Sequence, residues 1–110
     1  MRLARRRIAM ATYRMDDSTI VKTENATKSW QEQRRFNGDN MASVATGSEW
    51  EHQELFRSRK GRYYVEHWSD WQGSTPHAEW VSKYEATRWL ITNEHALPDD
   101  LKDLEAEVCE

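Results

Sequence analysis

Four cationic side chains crowd one short turn: Arg57, Arg59, Lys60 and Arg62 surround Ser58 and Gly61, with Tyr63 and Tyr64 directly behind. Cations beside aromatic rings suit phosphate contact combined with base stacking, the chemistry by which proteins hold single-stranded nucleic acid. The same residues also suit a solvated turn whose charges keep a sheet edge from pairing with another molecule. A basic turn with no helix or wider patch behind it favours the second use. Arg57 beside Tyr63 then amounts to a cation–π pair worth about 0.5–1 kcal/mol.

The remaining reactive residues form no catalytic pattern. His52, His67, His77 and His95 show no HxH, HExxH or CxxC spacing, so no metal is expected, and each reads as a hydrogen-bonded or half-exposed sheet residue. No serine sits in a nucleophile elbow. The chain has four glycines, too few and too scattered for a phosphate-cradling loop, so no cofactor is expected either. Glu54 and Glu66 would stand opposite each other as like charges and are expected to relax into solvent. The expectation is therefore a protein with no catalytic residue.

The elements that carry these groups can be read from turn chemistry and periodicity. Ser58 and Gly61 suit a type I turn followed by a left-handed glycine, which makes a bulged hairpin. That turn sets Arg57 against Tyr63, Phe56 against Tyr64, Leu55 against Val65 and His52 against Trp68. Phe56, Tyr64 and Trp68 then share one face, while Leu55, Tyr63 and Val65 share the other. A one-sided sheet would alternate with polar residues, so both faces of this hairpin need cover. Asn25 to Phe36 reads as a strand, with the turn cluster Asn37-Gly38-Asp39-Asn40 and the alternating run Met41 to Thr46 completing a first hairpin. Ile20 and Val21 suit a short edge strand. After a loop from Gln72 to Pro76, His77 to Val81 is a last strand. Ser82 and Glu85 form a capping box for a helix whose Ala86, Trp89 and Leu90 point inward, and which stops near Asn93 to His95. Pro98 opens a second short helix carrying Leu101, Leu104 and Val108.

At 110 residues the chain is expected to form one domain over residues 16–110, preceded by a flexible basic arm at residues 1–15. The fold class is α+β: an antiparallel sheet of four or five strands, a C-terminal helix packed on one face, and a second short helix. Charged residues make up 32% of the chain, so its core must be small and weighted towards its six tryptophans and four tyrosines. The net charge of −3 gives a nucleic-acid binder no global attraction. The arm begins like an export signal but lacks its apolar stretch, and the one cysteine, Cys109, cannot form an intrachain disulfide. A cytoplasmic protein without membrane attachment is expected.

The run LFRSRKGRYYVEHWSDWQGSTPHAEWVSKYEATRWL resembles small uncharacterised bacterial proteins of mobile elements, namely plasmids, phages and integron gene cassettes. There a basic Lys-Gly-Arg-Tyr hairpin leads through a Gly/Ser loop to a strand and a capped helix ending in Trp-Leu. The resemblance covers about a third of the chain; it implies a bacterial origin and one β-plus-α domain, and it carries over no active-site residue.

Trp68, Trp71 and Trp80 default to core positions, yet one short helix is too little cover for a two-faced hairpin. Either the N-terminal segment crosses the second face or another protein does. The expected function is accordingly a small binding or regulatory protein that self-associates, as a dimer or with a protein partner, through an aromatic face anchored by Tyr64, Trp68 and Trp71. The alternative is a nucleic-acid-binding accessory protein that uses Arg57, Arg59, Lys60 and Arg62.

Overall fold

Eight strands, all paired antiparallel, precede the first α-helix in a computed structural model of the chain, which describes residues 11–71 and 73–109. They are β1 (Thr12–Arg14), β2 (Ile20–Lys22), β3 (Lys28–Gln31), β4 (Arg34–Phe36), β5 (Met41–Ser43), β6 (Glu51–Arg57), β7 (Tyr63–Ser69) and β8 (His77–Val81). Helix α1 (Lys83–Thr92) follows, then a 3-10 stretch at Asp99–Leu104 that runs into the single turn α2 (Glu105–Val108). The main sheet has the order β3-β6-β7-β8, and β1–β2 and β4–β5 form separate two-stranded ribbons. The class is α+β, as expected.

The β6–β7 hairpin has the register its turn dictates, with Arg57 opposite Tyr63, Phe56 opposite Tyr64, Leu55 opposite Val65 and His52 opposite Trp68. Gly61 sits at φ 91°, where a side chain would be strained. Both faces of the hairpin are covered by the chain itself. On one side Leu55, Tyr63 and Val65 form a buried cluster with Ala86 and Leu90 of α1 and with Leu101. On the other, Phe56 and Tyr64 are buried against Met15 and Val21, flanked by Tyr13, Ala78 and Trp80. Large-to-small changes at such positions typically cost about 2–5 kcal/mol.

The second cover comes from residues the sequence assigned to two separate pieces. β1 begins at Thr12 and Met15 is buried, so residues 11–15 of the expected arm belong to the fold, because an apolar face beside them rewards their pairing with β2. The rest of that arm lies outside the described residues. Glu66 also departs from expectation. It is buried rather than solvated, and the Tyr13 hydroxyl donates to its Oε2 at 2.5 Å.

The strand expected from Asn25 to Phe36 is two strands in different sheets. Glu32 breaks it by turning inward: its Oε1 accepts from the Gln53 amide at 2.9 Å and the Ser43 hydroxyl at 2.6 Å. Next to it, the Gln33 amide donates to Asn93 Oδ1 at 2.9 Å, which ties the break to the end of α1. Past β5 the expected alternation stops, because Ser43 Oγ accepts from the Ala45 and Thr46 amides and bends the chain.

The capping box of α1 forms in full, with Ser82 Oγ accepting from the Glu85 amide at 3.0 Å and Glu85 Oε1 from the Ser82 amide at 2.8 Å. A single helix laid on one sheet face is too simple a picture, since α1 divides its contacts among β7, β8, the 3-10 stretch and α2. No described helix is long and apolar enough to cross a membrane.

Candidate functional site

The turn between β6 and β7 folds around Ser58, whose amide donates to the Arg62 carbonyl at 2.6 Å and whose carbonyl accepts from the Gly61 amide at 2.9 Å. Ser58 Oγ adds a bond from the Arg62 amide at 3.0 Å. A turn this closely bonded throws Arg59 and Lys60 outward into solvent. Beside it runs β2, and between the two lies a groove of about 490 Å3. Its apolar lining comes from Ile20, Val21 and Trp80, its cations from Lys22, Arg59, Lys60 and Arg62.

These cations are not equivalent. Arg62 is held in place: its Nη1 donates to Asp17 Oδ2 at 3.1 Å and its guanidinium lies 3.6 Å from the centre of the Trp80 ring. Trp80 Nε1 donates to the other oxygen of the same carboxylate at 3.1 Å. Hydrogen bonds from Thr19 first, then Trp80 and Arg62, hold the Asp17 carboxyl well below the usual carboxylate range. Lys22, Arg59 and Lys60 form no side-chain ion pair with any described residue. The groove therefore combines an apolar floor, one positioned guanidinium and three uncommitted charges.

Tyr64 lines this groove from below and is 0% exposed, with a buried hydroxyl that has no hydrogen-bond partner among the described residues. Burial, then the Glu66 and Glu54 carboxylates, raise that hydroxyl far above the ordinary phenol range. A residue so enclosed does not anchor a partner, because the β1–β2 ribbon already occupies the face that the sequence left open. Arg57 also falls away from the other tip cations. It faces the opposite side, with Nε 3.6 Å from Asp100 Oδ2 and Nη1 donating to Thr27 Oγ1 at 3.1 Å. Asp100 also accepts from the Tyr63 hydroxyl, whose pKa is pushed up to about 12 by burial and then by this carboxylate. Arg57 and Tyr63 therefore hold the C-terminal segment to the sheet.

No family model, curated protein or solved structure matches this chain. Its chemistry has to be read from its own side chains.

Trp68 and Trp71 lie at the other end of the hairpin. Trp68 is half-buried and stacks on His52 with ring centres 5.5 Å apart. Trp71 is 59% exposed and rests against Trp50, itself 44% exposed, at 5.0 Å. Beneath them His52 is buried between two carboxylates, Nδ1 at 2.6 Å from Glu32 Oε2 and Nε2 at 2.8 Å from Asp70 Oδ2. The hydrogen bond to Glu32 raises its pKa above 6.5 against the opposing effect of burial, and Asp70 adds to the rise. With both ring nitrogens facing carboxylates, His52 is a cationic clamp rather than a general base. Ser43 is bonded to Glu32 and not to His52, so this row of polar groups supplies no activated nucleophile.

A third cluster went unforeseen. His67, His77 and Glu79 converge on the α1 side of the sheet, each offering a ligand atom within 4.8 Å of the others. The spacing signal was present as His77-Ala78-Glu79, two ligands on one side of a strand, but a search for paired histidines passes over it. The contributions of Asp17 and Lys22 to the groove, and of Trp50 to the exposed aromatic pair, had no local signal at all.

Proposed function

We propose that this is a non-catalytic binding protein that holds a single strand of nucleic acid in the groove between β2 and the hairpin tip. The observation that carries the reading is the set of uncommitted cations, Lys22, Arg59 and Lys60, around a floor of Ile20, Val21 and Trp80. Phosphates would meet the cations and a base would enter the apolar part. The volume of about 490 Å3 falls in the usual range for small-ligand sites. The setting we propose is the bacterial cytoplasm, where the thiol of Cys109 stays reduced. In this reading α1 and the short helix serve as cover for the Leu55 face and take no part in binding.

Fluorescence anisotropy with a labelled oligothymidine tests it. Affinity should fall steeply with salt, and Arg59→Ala and Lys60→Ala should each reduce the slope of log affinity on log salt by about 0.7. Binding that ignores salt, or no binding at low salt, removes the proposal.

The exposed Trp50–Trp71 pair supports a second reading, self-association through that end of the molecule with Trp68 at its margin. Light scattering after size-exclusion chromatography decides it. A dimer that becomes a monomer on Trp71→Ala supports this reading, and a monomer at every concentration ends it.

A further inference from the structure

In the β7–β8 ladder His77 stands opposite His67 and Glu79 opposite Val65, so the alternation of β8 puts His77 and Glu79 on one side of the sheet beside His67. The two imidazoles stack with centres 4.7 Å apart and planes 8° from parallel. His67 Nε2 is buried with no hydrogen-bond partner among the described residues, and Glu79 Oε1 stands 3.3 Å from it. We propose that His67, His77 and Glu79 form a zinc site, with water as the fourth ligand. Two imidazoles and a carboxylate are a ligand set for tetrahedral Zn2+, at bond lengths of about 2.0–2.2 Å. Such bonds bring ligand atoms to within about 3.4 Å of one another, so the exposed His77 and Glu79 side chains close the remaining gap by rotating towards the fixed His67.

The surrounding charges bear on this site from both directions. Glu85 and Arg88 of α1 line the same cavity as His67 and Glu79, and Glu51 acts on His67 along the sheet. Two carboxylates against one guanidinium leave a cation favoured there.

Gln53 tunes the site. The Trp89 indole N–H donates to Gln53 Oε1 at 2.8 Å; an indole nitrogen can only donate, so the Gln53 amide nitrogen is the atom that faces His67 Nδ1 at 3.4 Å. Nδ1 then accepts and the ring proton sits on Nε2, the atom the metal needs. Binding zinc shifts that proton to Nδ1, and the Gln53 amide, now donor against donor, must turn and release Trp89. A carboxylate in place of the amide would accept from both N–H groups at once, the arrangement that strengthens metal-bound histidines by about 10–100-fold in affinity.

The test uses the whole chain carrying Cys109→Ser, which removes the free thiol as a competing ligand. Zinc chloride is titrated by calorimetry while the Trp89 indole N–H resonance, assigned with Trp89→Phe, is followed by NMR. The expected result is one zinc per chain with displacement of that resonance. His77→Ala and Glu79→Gln, both at exposed positions, should each weaken binding at least about tenfold, and Gln53→Glu should tighten it about tenfold. No heat at about millimolar zinc overturns the proposal. So does affinity unchanged in His77→Ala and Glu79→Gln, which would put the metal elsewhere, and so does weaker binding in Gln53→Glu.

Discussion

The two ends of the β6–β7 hairpin are charged to opposite effect. At the open end the charges around His52 are used within the fold: His52 lies between Glu32 and Asp70, and Glu32 also gathers Ser43 and the Gln53 amide. At the turn, Arg59, Lys60 and the neighbouring Lys22 meet no described carboxylate, and of the groove's cations Arg62 alone is tied down. Charges already satisfied inside a structure stabilise it. Charges left over beside an apolar groove are available to something else, and that is the ground for placing binding at the turn.

The largest expected effect comes from the open end. His52→Ala leaves the buried Glu32 carboxylate without its cation and should cost about 3–5 kcal/mol in urea unfolding, the usual penalty for breaking a buried pair from one side. The corresponding change at the turn, Arg59→Ala or Lys60→Ala, should move stability by no more than about 0.5 kcal/mol. Equal losses at both ends would show that the turn charges are structural after all.

A second probe uses the floor of the groove. Tyr64→Phe removes a buried hydroxyl that bonds to no described residue, so it should raise stability by about 1 kcal/mol in the same measurement. A loss of that size would mean that the hydroxyl has a partner in solution, and the groove would be wet at its base.

The pH dependence separates the ends by sign. The folded pKa of His52 is raised, so its contribution is complete below the unfolded value near 6.5 and is lost as pH climbs through the folded pKa. His67 is lowered, and its contribution is present above 6.5 and lost as pH falls through its folded pKa. Thermal unfolding across this window should therefore lose its alkaline-side decline in His52→Gln and its acid-side decline in His67→Gln. Identical profiles for the two variants would contradict the assignment.

A small effect is expected of Arg62→Ala, whose guanidinium over Trp80 is half-exposed and worth about 0.5–1 kcal/mol. Its oligothymidine affinity should nevertheless fall with the other cations of the groove, which distinguishes a charge used for binding from one used for folding.

What the sequence disclosed follows the range of its signals. Ser58 and Gly61 determine a register within a few residues, and the alternation around them then reveals that both faces are apolar; Ser82 and Glu85 do the same for the start of α1. Asn25 to Phe36 could not be divided correctly, because Glu32 breaks the strand through His52, Ser43 and Gln53, none of which is near it in the chain. The groove suffers similarly. Its cations at the turn were plain to see, but Lys22, Asp17 and Trp80 reach it from β2, the preceding turn and β8, and such convergence has no period. Tyr64 was misplaced as a partner anchor for the same reason, since nothing local indicated that Met15 and Val21 would cover it.

That the ribbon borrows one roof from residues preceding it and the other from residues following it governs how the molecule can assemble during synthesis. Leu101 completes the second roof and is fully enclosed. Until the residues through Leu101 are in place, Leu55 and Val65 lack that roof, and a chain in that state is the form most exposed to chaperones and to its own neighbours.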